Sequence, residues 1–260
     1  MLLTVVGSSD AVNAGARGNS CYLLESPGAA KLMIDFGPTA LLGLRRLGVA
    51  PSELGGIAFT HLHGDHTGGF PVLCIETMFG PPQPAPSRRP LRVLGPPLTQ
   101  ATLTSLFRAA YSELEPELPA RVALQIDELA PGQERPFQGY RIRAFAADHM
   151  APPHQALCLR ITDSHAKTIA FSGDTRICPG LLAAADGADL LVADCSRLTP
   201  PAGPHATWSD WQPLLPTLRA RSLLLTHLGA DVRQSSSTLL EGLTLPLPVR
   251  FADDGMVIEI

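Results

Sequence analysis

The amino-acid sequence predicts an α/β protein in which two β-sheets pack on each other and helices cover their outer faces. Three short apolar segments at the start of the chain are typical of consecutive strands with no room for helices between them. Strands then mix with helical segments, and the mixture returns in the second half of the chain. A single parallel sheet fits this order less well, because each parallel connection needs a crossover of about a dozen residues. Two packed sheets satisfy the order.

Short apolar runs between turn signals mark the elements of the first half. Strands are predicted at residues 2–6, 21–24, 31–35, 57–60 and 91–94. Helices are predicted at 98–111 and at 39–47, where Leu41, Leu44 and Leu47 recur every three residues. Five prolines between Pro81 and Pro90 exclude a helix or a central strand and predict a stiff surface connection.

The second half continues in the same way. Strands are predicted at residues 121–126, 140–146, 156–161, 168–171, 189–192, 222–226, 249–251 and 256–260. Helices are predicted at 177–185, 235–241 and 208–220, the last made irregular by Pro213 and Pro216. No repeat and no change of composition divides the chain, so residues 1–260 are predicted to form one domain.

The composition argues against several classes of protein. The chain has 260 residues, a formal net charge of −4 and 5% aromatic residues, which indicates neither long-range attraction for nucleic acid nor base stacking. The N-terminal segment lacks the basic region of a signal peptide, and no apolar run approaches the roughly 18–20 residues of a membrane span. The five cysteines are odd in number and lack CxxC spacing, which favours buried reduced thiols. We therefore expect a cytoplasmic protein.

Three of the eight histidines fall in the segment HLHGDH, residues 61–66. His61 and His63 are two residues apart, so an extended backbone projects them to one side. Gly64 allows a sharp turn, after which Asp65 and His66 can point back. Imidazole and carboxylate donors suit zinc, and manganese or iron is also compatible. Four donors in six positions exceed what one tetrahedral ion would accept from so short a loop, which indicates two adjacent ions.

The segment matches the HxHxDH signature, and the chain resembles the metallo-β-lactamase-fold superfamily over nearly its whole length. The resemblance implies an αββα sandwich of two mixed β-sheets, with a dinuclear metal site at one edge of the sheets. It also implies further ligands at downstream strand ends, where the chain offers His149, Asp174 and His227.

The resemblance also implies how the donors are shared between the two ions. One ion would be held by His61, His63 and His149. The other would be held by Asp65, His66 and His227. Asp174 would bridge the two ions.

Two further histidines lie near the predicted ligands in the sequence. His154 follows His149 by five residues and competes with it, but His149 is adjacent to the predicted strand end. Three roles stay open for His154: a hydrogen-bond partner of a ligand, a group that faces the substrate, or an exposed residue. His165 lies in a polar turn and is predicted to be exposed.

Within the superfamily, the chain is similar to the branch of ribonuclease Z and cyclic phosphodiesterases, including the phosphonate-operon phosphodiesterase type. The segments GNSC at 18–21, DCS at 194–196 and HAT at 205–207 carry this resemblance. His205 lies at a predicted helix N-terminus, which favours anions, and a histidine there can donate a proton to a leaving alkoxide or hold a phosphoryl oxygen; the alternative is a neighbour of a helix cap. Ribonuclease Z carries a long arm for transfer RNA, whereas only residues 164–167 separate the two strands in that interval here.

These features predict a dinuclear metal-dependent hydrolase, specifically a phosphodiesterase that cleaves a small cyclic or nucleotide phosphodiester by attack of metal-bound hydroxide. Asp65 and His205 are the predicted catalytic residues, and two divalent ions, zinc or else manganese or iron, are the predicted cofactors. One alternative is a hydrolase of the same fold acting on a lactone, thioester or β-lactam. Another is a non-hydrolytic, metal-containing ligand-binding or sensor protein. A small phosphodiester is the predicted partner, without membrane or long RNA, and a homodimer is left open.

Overall fold

Fourteen strands and eight α-helices make up the computed structural model of residues 1–80 and 90–260. The strands are β1 (Leu2–Gly7), β2 (Cys21–Glu25), β3 (Lys31–Ile34), β4 (Leu54–Ala58), β5 (Arg92–Gly95), β6 (Gln125–Glu128), β7 (Glu134–Phe137), β8 (Tyr140–Ala146), β9 (Leu157–Thr162), β10 (Thr168–Phe171), β11 (Leu190–Asp194), β12 (Leu223–Thr226), β13 (Val249–Phe251) and β14 (Val257–Glu259). The helices are α1 (Ala40–Arg46), α2 (Gly64–Thr67), α3 (Phe70–Phe79), α4 (Thr99–Ala110), α5 (Leu118–Val122), α6 (Pro179–Ala185), α7 (Trp208–Trp211) and α8 (Ala230–Ser235).

The strands form two sheets of seven strands each. The first has the order β14-β1-β2-β3-β4-β5-β6, and the second has the order β13-β12-β11-β10-β9-β8-β7. Strands β1 to β3 pair antiparallel and β3 to β6 pair parallel. The second sheet is antiparallel from β7 to β10 and parallel from β10 to β13. The prediction of two mixed sheets is therefore confirmed.

Buried apolar side chains form three layers. One layer lies between the sheets and includes Val5 and Ile142. A second packs α1, α3, α4 and α5 against the first sheet and includes Phe107. The third packs α6, α7 and α8 against the second sheet and includes Trp211. The order helices, sheet, sheet, helices is the predicted αββα sandwich.

Three predicted elements are wrong in part. Residues 121–126, predicted as a strand, contain the end of α5 and the start of β6, because Leu118 and Val122 lie one helical turn apart and are both buried. The helix predicted at 208–220 ends after one turn, at α7, shortly before Pro213. The helix predicted at 235–241 lies earlier, at α8, where Val232 is the buried residue. Strands β8, β10 and β13 have the predicted bounds, and the other predicted elements differ from the observed ones at their ends.

Strand β7 was absent from the predicted elements. Three of its four residues are exposed, and Pro136 lies within it. Such a sequence lacks the apolar run of a central strand, and proline in a sheet is confined mainly to edges. The predicted proline-rich connection, apart from Pro90, lies outside the described residues.

Two expectations from the composition are tested by the fold. All five cysteines are buried and free, as the reduced-thiol interpretation requires. Among the helices described for residues 1–80 and 90–260, none has both the length and the apolar character of a membrane span.

Gly37 lies where the segment after β3 touches the histidine-rich segment. A Cβ atom at position 37 would lie 1.9 Å from the carbonyl oxygen of Asp65. The segment is held there by hydrogen bonds from Phe36 N–H to the His66 carbonyl (2.7 Å) and from Gly69 N–H to the Phe36 carbonyl (3.0 Å). Only glycine allows this close approach.

Replacing Gly37 by alanine is therefore expected to lower the free energy of unfolding by about 1–3 kcal/mol, because the two segments must separate. Urea unfolding of the purified protein measures the change. Gly64→Ala is the matched control, since a Cβ atom at that position of the neighbouring segment meets no atom within 4 Å. Equal stability of the Gly37→Ala and wild-type proteins would contradict the prediction.

Candidate metal centre

The predicted donors meet at one edge of the sandwich, where strands from both sheets end. His61 follows β4, and α2 carries Asp65 and His66. In the second sheet His149 follows β8, Asp174 follows β10 and His227 follows β12. These three strands run in one direction, so their carboxyl ends share the same edge. A rigid sheet edge is a suitable support for ligands that must hold a fixed geometry.

All seven predicted metal ligands are brought together. They fall into two groups whose donor atoms lie within 4.8 Å of one another. One group is His61, His63 and His149. The other is Asp65, His66, Asp174 and His227.

Asp174 lies at the centre of the cluster. Its Oδ2 atom is 3.3 Å from His227 Nε2, 3.4 Å from His66 Nε2, 3.7 Å from His61 Nε2 and 3.8 Å from His149 Nε2. One carboxylate oxygen therefore faces histidines of both groups. This is the position that a bridging ligand would need.

The buried imidazoles direct free nitrogens into the cluster. The Nε2 atoms of His61, His66 and His227 are buried and have no hydrogen-bond partner within the described part of the chain. Buried polar atoms are nearly always hydrogen-bonded, so three orphaned nitrogens beside a carboxylate need an explanation. Divalent cations supply one, because the lone pair of an imidazole nitrogen is a metal donor.

Asp35, for which the sequence predicts no role, supports two of these imidazoles. Its Oδ2 atom accepts hydrogen bonds from His66 Nδ1 (2.8 Å) and from the Thr60 hydroxyl (2.8 Å), and its Oδ1 atom accepts from Thr60 N–H (2.7 Å). The Thr60 hydroxyl oxygen also lies 3.1 Å from His61 Nδ1. A carboxylate on Nδ1 keeps Nε2 of His66 free for a metal and fixes the ring orientation.

The electrostatics of the cluster follow from burial and from opposite charges. Burial lowers the pKa of His227, but the carboxylates of Asp174, Asp65 and Asp194 together outweigh burial and raise the pKa to about 9. Burial and then the neighbouring His66 imidazole lower the pKa of His61 well below its ordinary value. Burial raises the pKa of Asp174, but His227 and His66 together hold it well below the usual range. The carboxylate in the centre is thus kept negative, as a ligand must be.

Burial differs between the residues of the cluster. His61 and His66 are buried, whereas His63 and Gly64 are exposed. The segment that contains His63 is therefore a part of the cluster that solvent can reach.

His205 lies beside the cluster and is held by an aspartate. Its Nδ1 atom donates a hydrogen bond to Asp194 Oδ2 (2.8 Å), and its ring stacks on His227 with centroids 5.1 Å apart. Burial lowers the pKa of His205, but the Asp194 carboxylate raises it above the ordinary value. Thr207 caps α7: its hydroxyl oxygen accepts from Asp210 N–H (3.2 Å), and the Asp210 carboxylate accepts from Thr207 N–H (2.9 Å). The cap holds the segment that carries His205 and leaves the His205 ring for other contacts.

The two histidines without a predicted ligand role lie apart from the cluster. His154 and His165 are exposed, and neither belongs to a group of potential metal ligands among the described residues. The structure thus brings His149, and not His154, into the cluster.

Comparisons with known proteins agree with this fold. A family model described as "Anti-Pycsar protein Apyc1" matches residues 1–241. The chain is 28% identical to the uncharacterized protein Rv1339 of Mycobacterium tuberculosis (strain ATCC 25618 / H37Rv), over 87% of this chain and 80% of that protein. It is also 28% identical to a ribonuclease Z of Mycobacterium sp. (strain KMS), over 88% of this chain and 76% of that protein. The metallo-β-lactamase-fold protein YhfI from Bacillus subtilis superposes with a TM-score of 0.76 at 21% identity, covering 99% of this chain and 98% of that one.

Proposed function

The chain belongs to the Anti-Pycsar protein Apyc1 family and has the metallo-β-lactamase fold, and we propose that it is a dinuclear metal-dependent phosphodiesterase. The observation that carries the proposal is the central position of Asp174 Oδ2, within 3.8 Å of histidines from both donor groups. A hydrolase that acts on a phosphodiester is consistent with the name of the ribonuclease Z relative.

The donor set fits two divalent ions. His61, His63 and His149 would hold one, Asp65, His66 and His227 the other, and Asp174 would bridge them. Five imidazoles and two carboxylates favour zinc over ions that prefer an all-oxygen set, with manganese or iron as the alternatives. The chemistry supplied by two such ions is a lowered pKa for water and neutralisation of negative charge on a phosphoryl group.

We assign the orientation of the attacking water to Asp65 and the donation of a proton to His205. Asp65 is the less buried of the two carboxylates in its group, with its side chain 14% exposed, and would orient the attacking water. Attack forms one P–O bond and breaks the bond to the leaving oxygen, which takes a proton from His205. The proton that the water gives up restores His205. Asp194 holds Nδ1 of His205, which leaves Nε2 for the leaving oxygen.

A small cyclic or nucleotide diester suits this protein better than a long RNA. The formal net charge is −4, which gives no general attraction for a polyanion. The turn between β9 and β10 is short, and the Asp163 carboxylate closes it by accepting from His165 N–H (2.9 Å) and Lys167 N–H (2.9 Å). No extended arm is built at this position.

The proposal is tested by metal content followed by a substrate panel. Elemental analysis of protein purified without chelator is expected to give about two zinc ions per chain, as a two-metal site requires. Bis(p-nitrophenyl) phosphate and a cyclic nucleotide are expected to be hydrolysed, whereas a lactone and a thioester are not. His149→Gln should lose metal, and His154→Gln, at an exposed position five residues later, should keep it.

Two outcomes would replace the proposal. Turnover of the lactone or thioester alone would assign carbonyl chemistry to the same site. Tight binding of phosphate esters without turnover, in fully metallated protein, would assign a sensor or binding role.

A further inference from the structure

Trp211 is the last residue of α7 and is completely buried. Its indole N–H donates a hydrogen bond to the backbone carbonyl of Asp194, at a distance of 2.8 Å. Asp194 is the residue whose carboxylate holds His205. The backbone carbonyl and the side-chain carboxylate of Asp194 are therefore both hydrogen-bonded to the segment 205–211, the first to Trp211 and the second to His205.

The residues around His205 pair with the residues that directly follow Asp194. Ser196 N–H donates to the Ala206 carbonyl (3.0 Å), and Trp208 N–H donates to the Arg197 carbonyl (2.9 Å). These two bonds fix the backbone that follows His205, and Asp194 fixes the His205 ring. The indole N–H of Trp211 then connects the end of α7 to the carbonyl of Asp194.

Asp194 is also fixed by the segment that follows β10. Its N–H donates to the Ser172 hydroxyl (2.9 Å), and its Oδ2 atom accepts from Thr175 N–H (3.2 Å). Removal of the Trp211 indole would leave the Asp194 carbonyl without its donor, whereas the Asp194 N–H would keep its acceptor. Because a buried unpaired carbonyl costs about 1–3 kcal/mol, the peptide after Asp194 would then tilt about its remaining hydrogen bond, from Cys195 N–H to the Thr226 carbonyl (2.8 Å).

Trp208 shows that burial alone does not explain this contact. It lies in the same helix, is 5% exposed and packs on Phe251, but within the described residues its indole makes no hydrogen bond to the protein. Both tryptophans fill the third apolar layer. Only Trp211 is tied to the residue that holds His205.

We propose that Trp211 is a positioning residue for the Asp194–His205 pair, acting through the backbone carbonyl of Asp194. This inference rests on the proposed phosphodiesterase function, in which His205 supplies the proton to the leaving oxygen. Trp211 itself touches neither substrate nor metal ligand in this scheme. It fixes the aspartate, the aspartate fixes the imidazole, and the imidazole meets the leaving group.

The test compares Trp211→Phe with Trp208→Phe, because each replaces one buried indole of the same helix by a smaller ring. Two diester substrates distinguish a loss of proton donation from a general loss of activity. A cyclic nucleotide releases an alkoxide, which needs a proton, whereas bis(p-nitrophenyl) phosphate releases a phenolate that does not. Trp211→Phe is expected to lower kcat for the cyclic nucleotide about 10-fold or more, the loss typical of a supporting contact. KM, metal content and kcat for the activated diester should stay close to wild type, and Trp208→Phe should change neither rate selectively.

Two further measurements do not depend on that comparison. In protein labelled with ¹⁵N-histidine, the hydrogen-bonded Nδ1 proton of His205, assigned by its loss in His205→Gln, should shift or broaden in Trp211→Phe and remain in Trp208→Phe. The double variant His205→Gln/Trp211→Phe should be no slower on the cyclic nucleotide than His205→Gln alone, because both changes remove the same contribution.

Several results would overturn the inference. Equal losses on both diesters would make Trp211 an ordinary core residue, and an unchanged His205 proton signal in Trp211→Phe would do the same. A wild-type protein that binds two metals and keeps the His205 signal but hydrolyses neither diester would instead overturn the proposed function. In that case the NMR comparison still decides whether Trp211 positions the pair.

Discussion

Replacing Asp65 by alanine is expected to lower kcat on bis(p-nitrophenyl) phosphate by more than about 100-fold, since even residues that only support metal ligands typically cost 10- to 100-fold. The Oδ2 atom of Asp65 lies 3.3 Å from His66 Nε2 and 3.5 Å from His227 Nε2, so it belongs to the donor group itself. Its side chain is also the part of that group nearest to solvent. The loss should appear in kcat, because the substrate has other contacts and the water has lost its orienting carboxylate.

The measurement is made on protein whose metal content has been determined in the same preparation. His66, His227 and Asp174 remain in the variant and can retain the second ion, so the effect of Asp65 on catalysis can be read at equal metal loading. Asp148→Ala is the matched control, since Asp148 is an exposed aspartate beside His149 whose carboxylate lies 3.4 Å from Arg176. Wild-type turnover by a fully metallated Asp65→Ala protein would remove Asp65 from the mechanism.

The strongest signal for the candidate site in the sequence is local. His61, His63, Asp65 and His66 lie within six residues, and their spacing indicates metal binding before any strand is paired. His149, Asp174 and His227 are isolated residues at strand ends, and only the resemblance to a known family singled them out. The structure places them in one cluster because their strands run in one direction in one sheet and end at the same edge, a long-range arrangement that local spacing does not contain.

Two of the misassigned elements have identifiable physical causes. Leu118 and Val122 are helical neighbours, but in the apolar run at 121–126 only Val122 is visible, and a short run of that kind is equally typical of a strand. Residues 212–220 have helical composition, but the prolines that interrupt them leave only one helical turn at α7. In the first case a residue outside the predicted range decided the outcome, and in the second case the two prolines inside the range did.

Asp35 is the site residue that the sequence could not reveal. It stands alone at the end of a buried strand, with no neighbouring histidine, and its partners Thr60 and His66 are 25 and 31 residues away. Its backbone has φ of 59°, in the left-handed region. Aspartate and asparagine tolerate that conformation better than most residues. A lone aspartate after a strand is too common a pattern to predict such a role.

Replacing Asp35 by asparagine is expected to have a double effect, on metal binding and on stability. The carboxylate accepts three hydrogen bonds, from Thr60 N–H, the Thr60 hydroxyl and His66 Nδ1, whereas the amide offers only one acceptor atom. At least one buried donor is left unpaired, which should lower the free energy of unfolding by about 1–3 kcal/mol. The zinc affinity should fall about 10- to 100-fold, because the His66 ring loses the partner that orients it.

Asparagine is preferred to alanine for this test because it keeps both the size of the side chain and the tolerance of the left-handed backbone. Asp163→Asn is the matched control. Asp163 is a buried aspartate that also accepts several hydrogen bonds, from the Ser26 hydroxyl and from the backbone of the β9–β10 turn, but it lies outside the groups of potential metal ligands found among the described residues. Urea unfolding should show a loss of stability in both variants. Competition with a chelator should show weaker zinc binding in Asp35→Asn alone, and equal zinc affinity in the two variants would mean that Asp35 supports the fold and not the metal centre.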